Sequence, residues 1–366
     1  MRGSPTVDDL LWRRKVRGRN SAANFGAHQL EALASLEQQL SDPTGKPARN
    51  GWRVGLHDGC PLSPLAVERA QRIYLSLLEV GGARRTYAEE TILGTLAVTA
   101  SASSVPFWVS LLELKRARDS FSTQRRAYAL AALGMQFALS GGDAPRLALE
   151  RATHHENGET RALAVEAWVE AARRKARIDA PMLERVLEMA SQDPAFPVRF
   201  SARRQLVRVG QTIPLDNPGG VYRFEVQLRR DACMVQLDLP SEAYLDQLCS
   251  EILKALRWDS DHLWEFRLNG EKRDGRYTWP SEEQIEAASS PWTEALPKGV
   301  TAEPREFAPK LGELGLAVGH VFTLLFDFGD HHLFRIKVIG IGPRASGRVE
   351  YPRVVSKKGK VPNQYC

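Results

Sequence analysis

Phe326 to Arg335 reads FDFGDHHLFR, setting two aspartates, two adjacent histidines and a glycine between apolar runs. Imidazole nitrogens and carboxylate oxygens are ligands that zinc and manganese accept, and a histidine beside a carboxylate is also a proton-transfer pair. His262, in the segment DHLWEF, adds a further imidazole, so the candidate ligand set is His262, Asp327, Asp330 and His332, with His331 alongside. No HxxxH or HExxH accompanies it. Strand alternation also divides the set. Asp327 is in phase with Thr323 and Leu325, whereas His332 is in phase with Phe334, Ile336 and Val338 and so borders the core. The competing reading is a hairpin turn in which Gly329 takes a positive dihedral and Asp327 or Asp330 accepts turn amides. The turn is preferred. No cofactor is expected, and a divalent metal is the alternative.

Other chemistry is easier to set aside. DFG also matches the kinase magnesium-binding triplet, but no Gly-rich loop, strand lysine or HRD segment accompanies it. There is no Walker motif and no GxSxG elbow, and the His154-His155 pair falls in a polar stretch between helices. The four cysteines (Cys60, Cys233, Cys249, Cys366) show no CxxC and no framework spacing, as expected of reduced thiols. No apolar run approaches the roughly 18 residues of a membrane span, and the N-terminus lacks the apolar core of a signal peptide. A cytoplasmic protein without a membrane partner is expected.

The net charge of +6 is concentrated at the ends. Residues 1–24 carry +4 and residues 344–366 carry +5, which leaves the body slightly acidic. Arg13, Arg14, Lys15, Arg17 and Arg19 stand beside Trp12, and Lys357, Lys358 and Lys360 stand near the C-terminus. Such clusters contact phosphate by displacing counterions, and an aromatic neighbour adds a stacking surface, so nucleic acid is a partner these tails admit; solvated tails are the commoner alternative.

The elements that must position these residues fall into two halves. The first reads as helices with a repeat. Arg125, Arg161 and Arg199 each precede an Ala-rich helix, at spacings of 36 and 38 residues. Between them lie VPFWVSLLEL, APRLALERA and APMLERVLEMA, each opening with a proline in its first turn, where a missing N–H costs nothing. A helix pair recurring at this period predicts a HEAT-like solenoid, whose concave surface suits a protein partner. Prolines and glycines in QTIPLDNPGG then mark a break.

Beyond it the pattern alternates. VYRFEVQLR and MVQLDLP read as an antiparallel hairpin, Ser241 as the cap of a helix carrying Tyr244, Leu245, Leu248, Ile252 and Leu256, and LWEFRL, VFTLLFDF and LFRIKVIGI as further strands. The expectation is therefore α+β overall: a basic segment 1–24, an all-α HEAT-like domain 25–210, a linker 211–220, and an α+β domain 221–366. The last is expected to be β-grasp-like with a mostly antiparallel sheet.

Three segments, WDSDHLWEFRLNG from Trp258, VFTLLFDFGDHHLFRIKVIGI from Val321 and YPRVVSKKGKVPNQY from Tyr351, resemble the plasmid pRiA4b ORF-3-like family, in the order that family shows. The resemblance runs from Val221 to the C-terminus. It implies an origin among plasmids, insertion elements or bacterial chromosomes and carries no established activity. Family members commonly place a second histidine where this chain has Trp264, and tryptophan then histidine where it has His332 and Phe334. The expected function is a non-enzymatic interaction or scaffold protein with a protein or nucleic-acid partner. The alternative is a metal-dependent enzyme or accessory factor acting on mobile-element DNA.

Overall fold

Prolines and glycines punctuate the first half of the chain, and helices fill the intervals between them. The computed structural model describes residues 6–7, 25–41, 61–79, 85–99, 101–114, 121–228, 233–280 and 309–364. The chain divides into two compact units, residues 1–186 and 187–366. The architecture is α+β: ten α-helices among the described residues, most of them in the first half, and one seven-stranded antiparallel sheet in the second.

The first unit contains α1 (Phe25–Ser41), α2 (Pro64–Glu79), α3 (Arg85–Thr99), α4 (Val105–Glu113), α5 (Ser122–Ser140), α6 (Asp143–Ala152) and α7 (Gly158–Arg174). Helix α3 packs on α5 and α5 on α7, while α4 and α6 pack on each other and on this row. Small residues set the spacing. A Cβ at Gly134 of α5 would stand 3.1 Å from the carbonyl oxygen of Ala167 on α7, so the two helices approach as closely as backbone allows. The central helix α5 is consequently buried from Ala127 to Phe137.

The repeated arginines fasten the chain. Arg161 donates to the carbonyls of His155 and Glu156 at 2.8 and 3.0 Å, closing the loop that leads into α7. Arg125 is buried, with Nε 2.6 Å from the Tyr74 hydroxyl and a Glu89 carboxylate oxygen 3.6 Å from Nη2.

Helix α8 (Ala180–Gln192) is followed by α9 (Phe196–Arg208), which belongs to the second unit and docks on its core through Phe196. Arg199 donates to the carbonyls of Asp193 and Gly315. Arg203, 1% exposed, donates to Ala190, Pro214 and Gly312 carbonyls and to Asp216 Oδ1. The Pro/Gly-rich segment 211–220 is thereby fixed to the fold. The Asp216 amide donates to Gly312, Asn217 Nδ2 donates to Gly342, and Ser241 Oγ donates to the Asn217 carbonyl.

The sheet comprises β1 (Gly220–Leu228), β2 (Met234–Pro240), β3 (Trp264–Arg267), β4 (Thr278–Trp279), β5 (Val321–Phe326), β6 (His332–Pro343) and β7 (Arg353–Lys358). Its order is β4-β3-β5-β6-β1-β2-β7, with every neighbouring pair antiparallel. Tyr222, Phe224, Phe266, Phe322, Phe326, Phe334 and Ile336 form the buried face, and each such side chain contributes about 1.5–3 kcal/mol by leaving water. Helix α10 (Leu245–Leu256) covers this face with Leu245, Leu248, Ile252 and Leu256. Its cap differs from expectation. Ser241 spends its hydroxyl on Asn217, so the helix begins later, with Tyr244 at the N-cap, 37% exposed, and the Gln247 side chain accepting from the Tyr244 amide. No helix among the described residues is long and apolar enough to cross a membrane.

Candidate functional site

Strands β5 and β6 form the expected hairpin, with Phe326 opposite His332 and Asp327 to His331 as its turn. The positive dihedrals fall at Asp327 (φ 58°) and His331 (φ 56°), not at Gly329 as the sequence suggests. Asp327 bears this conformation because its side chain repays it. Oδ1 accepts from the amides of Gly329 at 2.8 Å and Asp330 at 3.3 Å, while the main chain accepts from His331 N and donates to Leu263 O. A short side chain that bonds its own turn is what lets a non-glycine residue occupy this region.

The four candidate residues fall into two pairs at this turn. His262 Nε2 stands 3.6 Å from Asp327 Oδ2 and 3.4 Å from Asp261 Oδ1, with its ring edge-on to Phe326. His332 Nε2 is 4.0 Å from Asp330 Oδ2. The Gly329 amide holds the Asp327 carboxyl below the usual range; burial opposes this, and the Asp330 amide, His262 and His332 reinforce it. His332 is bound elsewhere too. Its Nε2 is 3.0 Å from the Gln364 carbonyl, and its ring lies 4.7 Å from that of Trp258. Trp258 Nε1 donates to the Pro362 carbonyl, and Gln364 pairs through its amide with the main chain of Asp259 in both directions. The cluster thus clamps the β5–β6 turn, the segment 258–263 and the chain end at 361–364 to one another. Among the described residues, no group of three or more His, Cys, Asp or Glu is arranged to hold a metal ion.

The basic candidates divide. Arg13, Arg14, Lys15, Arg17 and Arg19 lie outside the described residues. Lys357 donates its ammonium to the Ala255 carbonyl at the end of α10, whereas Lys358 and Lys360 are exposed. Lys358 also belongs to a larger basic surface that no sequence motif marks.

Strand alternation gives the sheet a second face, opposite the core. One row of cross-strand partners runs Arg267, Thr323, Arg335, Gln227, Met234, Lys358. The next runs Lys337, Glu225, Gln236, Ser356, and the third Gly340, Arg223, Asp238, Arg353. Six cations and the acids Glu225, Asp238 and Glu265 share this face, but two of the acids are covered. The side chains of Asp238 and Glu265 are each 2% exposed. Asp238 accepts from Arg223 Nε and Nη2 at 2.7 and 2.9 Å and from Arg353 Nε and Nη2 at 3.0 and 2.9 Å. Glu265 accepts from Arg267 and Arg273 at 2.8 and 2.9 Å. Burial raises the Asp238 pKa, and the two arginines more than reverse it, leaving the carboxyl below its usual value. The charge shown to solvent is therefore mainly guanidinium and ammonium. The signal was present in sequence as the Arg and Lys positions alternating with core residues in β1 and β6, though only pairing shows that they form rows.

A seven-stranded antiparallel sheet with a core-side helix, a clamped histidine turn and a basic outer face defines an α+β domain. Residues 220–366 match the family model described as Plasmid pRiA4b ORF-3-like protein, in agreement with the resemblance of the C-terminal segments to that family. A similar solved structure is that of the protein of unknown function MM3350 from Methanosarcina mazei Go1, 17% identical, with a TM-score of 0.28 over 40% of this chain and 73% of that one. No curated protein matches.

Proposed function

We propose that this is a non-enzymatic binding protein whose C-terminal unit takes a nucleic acid on the outer face of its sheet, with the helical unit as scaffold for a protein partner. The observation that carries the reading is the cationic ladder of Arg223, Arg267, Arg335, Lys337, Arg353 and Lys358, beneath which Asp238 and Glu265 are hidden. A polyanion releases counterions on such a face, and regularly spaced strands present the charges at intervals a phosphate backbone can follow. The basic termini would extend the same attraction. The row of packed helices α3, α5 and α7 supports the scaffold role of the first unit.

The approach of His262 to Asp327 is what favours the second reading, a metal-dependent enzyme or accessory factor acting on mobile-element DNA. One experiment separates the two. A fluorescent single-stranded oligonucleotide is titrated with the full chain at about 50 and 200 mM salt, with a parallel assay for strand cleavage. On the binding reading affinity falls steeply with salt, the double variant R335A/K337A lowers the salt slope by about 0.7 per lost contact, and H262A binds as wild type. Salt-independent binding would sink it, and cleavage that disappears in H262A would transfer the function to the second reading.

A further inference from the structure

At one end of the outer face the sheet opens into a cleft of about 300 Å³, lined by Arg223, Asp238, Arg353, Tyr351 and the β6 segment Ile339 to Pro343. We infer that this cleft is a binding subsite for a phosphate group carried by a small organic ligand or by a nucleotide of a longer chain. The inference rests on the anion-binding reading of the face and narrows it to one place.

The cleft is built around a carboxylate that cannot be its ligand. Asp238, 2% exposed, uses both oxygens to hold the Nε–Nη2 edges of Arg223 and Arg353. Two guanidinium groups are thereby fixed side by side without a free choice of rotamer, and the pre-organised fork loses little entropy when it binds. Each has its Nη1 without a protein acceptor among the described residues, and both side chains keep about two-fifths of their surface in water (42% and 36%). The trio carries a net charge of +1.

Tyr351 supplies the third donor. Its hydroxyl oxygen accepts from the Ala345 amide at 3.0 Å, which leaves the O–H proton to be given, and its ring lies 5.4 Å from the Arg353 guanidinium carbon and 5.8 Å from that of Arg344. Arg344 is itself paired with Glu242. Three separated donors suit a tetrahedral phosphate with three terminal oxygens better than a planar carboxylate, which one guanidinium fork satisfies. The remaining walls are main chain at Gly340 and Gly342 and the apolar side chains of Val221, Ile339 and Pro343, which give an organic body somewhere to lie.

The register makes room for this. A bulge in β6 between the Val338–Phe224 and Gly340–Arg223 pairs places Ile339 as an extra residue, and Gly340 opposite Arg223 has no side chain to fill the recess. A Cβ at Gly340 would meet the Arg223 Cβ at 3.5 Å, so any larger side chain there would occupy the cleft.

The test titrates the full chain with adenosine monophosphate, inorganic phosphate and adenosine by calorimetry, and repeats each with R223K, R353K, Y351F and R335A/K337A. Expected is binding of the monophosphate and phosphate but not of adenosine, weakened about tenfold in each lysine variant through loss of a charge-assisted hydrogen bond. R335A/K337A should leave it unchanged. Because those two positions serve the long oligonucleotide and not the cleft, failure of the face and failure of the subsite are distinguishable. G340V, which keeps every charge, provides a second arm and should abolish monophosphate binding while the thermal transition persists. Equal binding of adenosine, undiminished binding in both R353K and G340V, or no binding of any probe would overturn the inference. Binding of phosphate without binding of the monophosphate would overturn it as well, because the inferred phosphate is carried by an organic body.

Discussion

His320 shows how much a single side chain can depend on burial. Its ring lies 4.2 Å from that of Phe196, tilted, and stacks on that of Phe322 at 5.8 Å, with Nε2 2.9 Å from the Leu268 carbonyl. Burial pushes its pKa down to about 4, the Leu268 carbonyl resists, and the charge on Arg199 adds to the depression. An unfolded histidine titrates near ~6.5. The folded state therefore binds fewer protons than the unfolded one between those values, and stability is complete above the unfolded pKa and lost as pH falls toward the folded one. Between pH 7 and about 4.5 this one group should cost about 2–3 kcal/mol. The variant H320Q keeps a donor for Leu268 and should lose that share of the acid slope, as urea midpoints of both proteins at the two pH values would reveal. An unchanged slope would mean that the imidazole is solvated.

At the scale of elements, the second unit depends on Arg203 more than on any residue a motif search would choose. From α9 it reaches the end of α8, the segment 211–220 and the short 3-10 turn at Leu311–Glu313, through three carbonyls and Asp216. R203M fills the volume but leaves those acceptors bare. It should destabilise the unit by about 3 kcal/mol, the lower end for breaking a buried pair, because Asp216 keeps a third of its surface in water. Chemical denaturation followed by tryptophan fluorescence measures this, and a loss below about 1 kcal/mol would show that water replaces the arginine. Close packing of α5 against α7 at Gly134 makes a different demand. G134V should cost about 1–3 kcal/mol, the usual range for overpacking, in the helical unit alone.

For the whole molecule, the division at Val186/Leu187 and the confinement of the sheet core to residues between Phe196 and Val338 have a direct consequence. A fragment 187–366 contains every residue of that core together with the docked segment 211–220. It should melt cooperatively and retain the monophosphate binding of the full chain, which circular dichroism and calorimetry would check. A fragment that remains unfolded would show that the sheet needs the helical unit.

What the sequence determined by itself was whatever follows from local periodicity. Alternation in VYRFEVQLR and MVQLDLP placed β1 and β2, prolines in the first turn marked α4, α6 and α8, and the three motif segments carried the family of the C-terminal domain. Strand β7 was not legible, because RVVSKK is an edge strand whose residues are mostly exposed and leave no buried period to read. Ser241 was misread as a cap because its partner, Asn217, lies across the fold and not in the helix. Phase gave His332 its place at the core border, but the bond to Gln364 and the positive φ at Asp327 depend on segments far apart in the chain. The basic outer face and its cleft are decided in the same way. Side chains three strands apart become neighbours only when the register is set, and register is fixed by the whole hydrophobic face burying at once.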